Sequence, residues 1–261
     1  MPLAQHIRIR TRDDSVIAAT PEARRILANT VLRYGRETTL LAFSLADHHL
    51  HLQAACTHGV AGELARRIQL SLTRSLGLTA GFDPVYRKPI EDARHQRNVF
   101  HYLMKQAPHH GLDLDPLLEG TNLPDLLGLR VIGAYTAQNL RRRLPRLTRN
   151  ELLAHLGLDE LRPAHGPPEL ILDAAAAAMA RPDINGKSPD ALRARRAALD
   201  VASHLRPAEL RSLLAISRAS LYRLREMPAD PAVVKAIRLQ LGLMQHKRDA
   251  LARAETFDAA L

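Results

Sequence analysis

Two histidines separated by one residue are the first candidates for chemistry in this sequence. His49 and His51 flank Leu50 within a β-prone stretch, and side chains two residues apart in a strand point to the same face. Two imidazoles on one face form half of a metal site. Because 13 histidines occur in 261 residues, such a pair also arises by chance, and a solvated strand is the alternative.

A tyrosine and a glutamine farther along the chain are the second candidates. Tyr102 and Gln106 are four residues apart in a segment with helical spacing of apolar residues, so we expect them on one face of a helix. The carbonyl oxygen of Gln106 would complete a ligand set that leaves open positions on Mg²⁺ or Mn²⁺ for a phosphate. Tyr102 would then be the nucleophile, because a metal that polarises the phosphate compensates for the weak nucleophilicity of a phenol. A packing tyrosine with a hydrogen-bonded hydroxyl is the alternative.

The N-terminal part of the chain alternates strand-like and helix-like patterns, which would position these side chains. The predicted elements are a strand over 6–10, a helix that begins after Thr20, two strands within 39–55 joined by a turn at Asp47–His48, a helix over 63–76, a strand over 85–90, and a helix over 92–107 that Pro108 ends. Strands and helices in this order predict an α+β sandwich with an antiparallel sheet.

The strand signal ends after Pro116, and the remaining chain has helical patterns. Residues 116–168 are predicted to form a basic helical linker region that contains Arg141, Arg142 and Arg143. These arginines belong either to a solvated linker or to a segment that binds phosphates. Residues 169–261 are predicted to be all-α.

A helix-turn-helix is predicted within this last region, over residues 207–226. Two short helical patterns flank a three-residue turn, and Ser217 is expected to cap the second helix. An ordinary helical hairpin with solvated arginines is the alternative. On the helix-turn-helix interpretation, the side chains that reach bases and phosphates are Arg218, Ser220, Tyr222, Arg223 and Arg225.

Composition narrows the class of protein and of partner. The chain has 37 Lys and Arg against 27 Asp and Glu, a formal net charge of +10, and such a charge attracts polyanions such as nucleic acids. With no Trp, 4 Phe and 5 Tyr, a sheet paved with base-stacking aromatics is not expected. Cys56 is the single cysteine, and neither a secretory signal nor an apolar run of membrane-spanning length is recognisable. We therefore expect a cytoplasmic protein without a membrane partner.

The combination of His49-Leu50-His51 with Tyr102 and Gln106 resembles the HUH single-tyrosine transposases. These include the REP-associated tyrosine transposases and the insertion-sequence transposases that move single-stranded DNA. Their hallmark is a His-hydrophobic-His strand followed by a helix that carries Tyr with Gln or Asn four residues on. The resemblance covers roughly residues 1–112. It implies that residues 1–115 form a catalytic domain with a ferredoxin-like sheet and helices, in which His49, His51 and Gln106 hold the metal.

The function that the resemblance implies is that of a DNA transposase, a single-stranded DNA endonuclease and strand transferase. Tyr102 would attack a phosphodiester and leave a covalent 5′ phosphotyrosine and a free 3′ hydroxyl. The expected partner is single-stranded or hairpin DNA, including repetitive palindromic elements, bound by a monomer or homodimer at the bacterial nucleoid.

Two alternatives to this function follow from the residues around the histidines. Family members commonly have Pro-Asn before the first histidine, whereas this chain has Asp47-His48. A domesticated, catalytically impaired DNA-binding regulator is therefore one alternative. A metal-dependent phosphodiesterase with a water nucleophile is the other, and it predicts additional carboxylate ligands.

Overall fold

The computed structural model of the protein describes residues 2–106, 115 and 117–258. The chain divides into two compact units, residues 1–157 and 158–261. The expected end of a helix at Pro108 lies outside the described residues. Within the described part of the chain, no helix is long and apolar enough to cross a membrane.

A four-stranded antiparallel sheet is the centre of the first unit. Its strands are β1 (Ala4–Arg10), β2 (Leu40–Ala46), β3 (His49–Ala54) and β4 (Tyr86–Ile90), in the order β2-β3-β1-β4. All three neighbouring pairs are antiparallel. The α+β class with an antiparallel sheet, predicted from the order of elements, is confirmed.

The hairpin between β2 and β3 turns at Asp47 and His48, as the sequence predicts. Asp47 has a φ of 44°, in the left-handed region that Asp enters more readily than most residues because its short side chain hydrogen-bonds locally. This tight turn sets which residues of the two strands face each other, and it pairs Ser44 with His51.

Two helices lie on one face of the sheet, α1 (Pro21–Gly35) and α2 (His58–Leu76). The Thr20 hydroxyl accepts a hydrogen bond from the amide of Ala23 at 3.2 Å, so α1 starts where the N-cap signal places it. A short 3-10 turn, Arg36–Thr38, follows α1. The second helix begins at His58 rather than at the predicted residue 63, because Thr57 caps an extra turn. The sheet side chains buried beneath this layer include Ile7, Ile9, Leu50 and Leu52.

Helix α3 (Ala93–Met104) lies on the opposite face of the sheet. Asp92 caps its first turn by accepting a hydrogen bond from the amide of His95 at 2.7 Å. The side-chain amide of Gln53 in β3 donates to the backbone carbonyl of Gln96 at 2.9 Å, and α3 contacts β2 and β3. The helix therefore covers the β2–β3 half of this face.

Residues 117–157 complete the first unit with α4 (Leu123–Leu127), α5 (Ala134–Arg143) and α6 (Arg149–His155). Asn122 joins this segment to the edge strand β2: its carbonyl oxygen accepts from the amide of Phe43 at 3.1 Å, and its amide donates to the carbonyl of Leu41 at 3.0 Å. The sequence-based division placed a domain boundary at 115 and a linker region over 116–168. The contacts divide the chain after residue 157 instead, and the bonds of Asn122 are among those that join this segment to the first unit.

In the described residues of the second unit, the regular secondary structure is helical, and loops join the helices. They are α7 (Pro168–Ala178), α8 (Pro189–Val201), α9 (Pro207–Leu214), α10 (Arg218–Glu226) and α11 (Pro231–Asp258). Helix α11 packs against both α7 and α8, and the small buried side chains of residues 174–178 allow close approach. This unit carries the segment for which a helix-turn-helix is predicted.

Candidate active site and basic surfaces

The two histidines of the His-Leu-His motif lie on the sheet face that α3 partly covers. His51 is 2% exposed, and the ring centroids of His49 and His51 are 4.8 Å apart. The Nδ1 atom of His49 and the Nε2 atom of His51 are both buried. Since Leu50 is fully buried on the other face, alternation along β3 brings the two imidazoles together.

Tyr102 lies beside His51, although the two residues are far apart in sequence. The ring of Tyr102 meets the ring of His51 edge-on, with centroids 5.3 Å apart and planes at 85°. The tyrosine is nevertheless 46% exposed. A tyrosine that packs in a core is expected to be mostly buried, so this exposure favours a side chain that a substrate can reach.

Gln106 is 1% exposed, one turn beyond Tyr102. Its side-chain amide donates to the backbone carbonyl of Tyr102 at 3.3 Å, a contact within its own helical turn. The ligand set of His49, His51 and Gln106 stays a prediction. Among the described residues, no group of three or more His, Cys, Asp or Glu side chains is placed to hold a metal ion. Asp47, the carboxylate nearest the histidines in sequence, is exposed in the β2–β3 turn.

His6 is a site residue that sequence reasoning missed. Its Nε2 atom lies 3.0 Å from Nδ1 of His51, and its ring centroid is 6.0 Å from that of Tyr102. Burial lowers the pKa of His6 to about 4, and the positive charges of Arg8, Lys88 and His95 lower it further. His6 is therefore neutral near neutral pH, with one nitrogen that donates and one that accepts.

The contact with His6 has a defined effect on His51. A hydrogen bond at one imidazole nitrogen fixes the ring orientation, and where Nδ1 of His51 is the donor, the lone pair that a metal ligand needs lies on Nε2. The sequence did contain a signal for this residue, because alternation along β1 places His6 on the same face as Arg8 and Arg10. What the sequence lacked was the register that sets this face beside β3.

In the second unit, a turn of three residues, Ala215 to Ser217, joins α9 to α10. The Ser217 hydroxyl accepts a hydrogen bond from the amide of Ser220 at 3.2 Å, so Ser217 caps α10. The side chains buried in this helix pair are Leu210, Leu214, Leu221 and Leu224.

The residues predicted to read DNA lie along α10. Arg218, Tyr222, Arg223 and Arg225 are exposed, and Ser220 is half-buried. The guanidinium of Arg218 lies 5.7 Å from the ring centroid of Tyr222, and its hydrogen bond and charge lower the pKa of that phenol. The exposed face of α10 is therefore both basic and aromatic.

A second basic surface lies at the end of α5. Arg141, Arg142 and Arg143 are exposed in the last turn of the helix, between the buried residues Leu140 and Leu144. Positive side chains at this end of a helix interact favourably with its dipole. This interaction explains their position without a ligand, so DNA contact by these arginines stays a prediction.

Comparisons of this chain with family models, with curated proteins and with solved structures found no match. Its function is therefore inferred from its own residues.

Proposed function

We propose that the protein is a metal-dependent DNA strand transferase in which Tyr102 forms a covalent bond with the 5′ phosphate of a cleaved single strand. The observation that carries this proposal is the half-exposed Tyr102 ring against His51, whose Nδ1 atom contacts His6. The proposed nucleophile, Tyr102, and a proposed metal ligand, His51, thus lie in one cluster on one face of the sheet.

The arrangement of elements supports a ferredoxin-like sandwich for the catalytic part. The order β1-α1-β2-β3-α2-β4 and the sheet order β2-β3-β1-β4 correspond to the split β-α-β arrangement of that fold. The histidine pair lies on the central strand β3, and Tyr102 lies on the helix that crosses it. The resemblance to HUH single-tyrosine transposases implies a similar placement, and this agreement supports the proposal.

The residues present fit a divalent cation through the two imidazoles. His51 has the hydrogen-bonded second nitrogen of a typical metal-binding imidazole, and His49 lies beside it. Gln106 is proposed as the third protein ligand through its carbonyl oxygen. When bound, Mg²⁺ or Mn²⁺ would polarise the scissile phosphate and offset its charge.

The chemistry of the chain itself is a transfer between two oxygen atoms. The hydroxyl oxygen of Tyr102 forms a bond to phosphorus, and the bond from phosphorus to the 3′ oxygen of the preceding nucleotide breaks. The phenolic proton passes to solvent, which the exposed ring allows, and the leaving 3′ oxygen takes up a proton. One phosphodiester replaces another, so the step can reverse without a nucleoside triphosphate. His51 holds the Tyr102 ring edge-on.

DNA recognition by the second unit is proposed through a helix-turn-helix. The three-residue turn, the capped α10 and the buried leucines are consistent with this motif. On this proposal α10 enters a major groove, and its exposed side chains, named above, contact bases and phosphates. The arginines at the end of α5 would add contacts to the DNA backbone, and the protein would act as a monomer or homodimer at the nucleoid.

One observation favours a second function, that of a DNA-binding regulator without catalysis. The side-chain amide of Gln106 donates to the backbone carbonyl of Tyr102, a contact within one helical turn that does not involve a histidine. Such a protein would bind the same DNA without forming an adduct.

The experiment that separates the two functions is a search for a covalent adduct. Full-length protein is incubated with labelled single-stranded DNA that carries a hairpin, with Mn²⁺ or Mg²⁺, and analysed on a denaturing gel. We expect an adduct with the wild type and with the control Tyr34→Phe, whose tyrosine lies in α1, and none with Tyr102→Phe. DNA binding without an adduct over a varied substrate set would support the regulator instead.

The ligand assignment is tested separately by replacing both histidines. His49→Ala with His51→Ala should abolish adduct formation while leaving duplex binding through the second unit within about twofold. Unchanged adduct formation would refute the metal site.

Binding by α10 is tested with Arg223→Ala and the control Lys187→Ala, an exposed residue between α7 and α8. Loss of one phosphate contact should make the slope of log binding constant against log salt concentration shallower by about one for duplex DNA. An unchanged slope for Arg223→Ala would argue against this surface.

A further inference from the structure

Among the described residues of the first unit, helix α3 covers only half of the sheet face that carries the candidate active site. Helix α3 contacts β2 and β3, whereas Arg8 in β1 and both Tyr86 and Lys88 in β4 are exposed. Register places these side chains on the same face as the histidines, because Arg8 pairs with both His51 and Tyr86, and Lys88 pairs with His6. An open surface therefore extends from the candidate active site to the sheet edge.

Along this surface, His51, Arg8 and Tyr86 form one straight row across three strands. Neighbouring strands are about 4.8 Å apart, so the backbone of Tyr86 is about 10 Å from that of His51. Tyr102 lies over the His51 end of the row. A nucleotide next to a phosphate held at Tyr102 would thus lie within reach of Tyr86.

The chemistry of the row suits an unpaired nucleotide. Tyr86 is 48% exposed, and the guanidinium of Arg8 lies over one face of its ring, 5.2 Å from the centroid. An exposed aromatic face beside a cation is how sequence-tolerant single-strand binders hold a base and its phosphate. In a duplex the base faces are already stacked on their neighbours, so a stacking tyrosine favours unpaired bases.

The positive charges of this surface have no carboxylate partner among the residues that the structure describes. Among the described residues, no ion pair involves Arg8 or Lys88, whereas Arg10 of the same strand pairs with Asp14 at 2.6 Å. A phosphate on this side of Tyr102 would be attracted by both side chains.

We infer that Arg8, Tyr86 and Lys88 form a subsite for the nucleotide adjacent to the scissile phosphate, in which the base stacks on Tyr86 and the two cations hold the backbone. The inference rests on the proposed function, because Tyr102 and His51 define where the scissile phosphate lies. It adds a determinant of the preference for single-stranded DNA that lies outside the His, Tyr and Gln motif.

The test measures binding in the absence of cleavage. Full-length protein carrying Tyr102→Phe is titrated, with a chelator present, into a fluorescent oligothymidine and into a duplex of the same length, and anisotropy gives Kd. Adding Tyr86→Ala should raise Kd for the single strand about tenfold, the scale of one lost base–aromatic stack, with duplex binding unchanged. Tyr86→Phe should retain tight binding, because stacking requires the ring and not the hydroxyl.

A charge variant and a matched control complete the design. Arg8→Ala should weaken single-strand binding and reduce its salt dependence by about one ion. Arg74→Ala removes an exposed arginine from α2, on the other side of the sheet, and should change neither. Thermal unfolding of each variant checks that the fold is intact, which is expected because the substituted side chains are exposed.

The outcomes distinguish this inference from the proposed function. Unchanged single-strand binding in Tyr86→Ala overturns the subsite even if the wild type forms an adduct, and the strand-transferase proposal then stands alone. Equal losses of affinity for single-stranded and duplex DNA in Tyr86→Ala also overturn it, since they indicate that Tyr86 does not stack on an unpaired base. If wild type forms no adduct but Tyr86→Ala still loses single-strand binding selectively, Tyr86 binds an unpaired base, whereas the strand-transferase proposal fails and with it the placement of this base next to a scissile phosphate.

Discussion

Acidification should destabilise the protein through His6. In the folded chain the pKa of His6 is lowered from 6.5 to about 4, first by burial and then by the charges of Arg8, Lys88 and His95. The unfolded chain therefore takes up this proton first as pH falls. The sign follows from linkage: the free energy of unfolding is unaffected above the unfolded pKa and decreases as pH falls from about 6.5 toward 4.

The size of the effect follows from the same lowering. The pKa difference between 6.5 and about 4, at about 1.36 kcal/mol per pH unit, corresponds to a full decrease of about 3 kcal/mol in the free energy of unfolding. About 2 kcal/mol of it falls between pH values of about 7 and 5. Because His6 is partly exposed, solvent screening makes this an upper bound.

Urea unfolding of wild type and His6→Gln at these two pH values measures the effect. Glutamine keeps a donor and an acceptor near His51 but does not titrate. On acidification the free energy of unfolding of the variant should therefore fall by about 2 kcal/mol less than that of the wild type. His58→Gln, at the exposed start of α2, is the control and should follow the wild type. Equal losses in wild type and His6→Gln would refute the claim that folding keeps His6 neutral.

Three further predictions concern single side chains. Asp125→Ala should lower the free energy of unfolding by about 3–5 kcal/mol in urea titrations, because it leaves the fully buried guanidinium of Arg130 without its carboxylate. Ala215→Gly should raise the free energy of unfolding of the second unit by up to about 1 kcal/mol, measured by thermal unfolding, since Ala215 has a φ of 49° that glycine adopts without strain. Burial raises the pKa of the Cys56 thiol to about 11, so its reaction with a thiol reagent at mildly alkaline pH should be far slower than in urea; equal rates would contradict this.

Local signals in the sequence predict most strands and helices of residues 1–106 and the adjacency of two candidate site residues. Alternation along 6–10 identifies β1, and Thr20 and Ser217 mark helix starts, because an N-cap needs only a side chain and an amide a few residues away. The turn at Asp47 likewise depends on the conformational preference of one residue. For the same reason the side-by-side placement of His49 and His51 follows from the two-residue period of a strand.

Long-range contacts decided the rest. His6 and His51 are 45 residues apart in sequence. They meet because β1 pairs with β3, and Tyr86 lies in the same row of side chains because β1 also pairs with β4. The limit of the first unit depends in the same way on Asn122, whose bonds to β2 span about 80 residues. Composition and periodicity describe what each segment prefers alone, whereas register between distant strands is set by the burial of one face of the sheet, here the face that carries Ile7, Ile9, Leu50 and Leu52. The sequence by itself therefore determined which residues are candidates for chemistry, apart from His6, and the tertiary structure decided which of them meet.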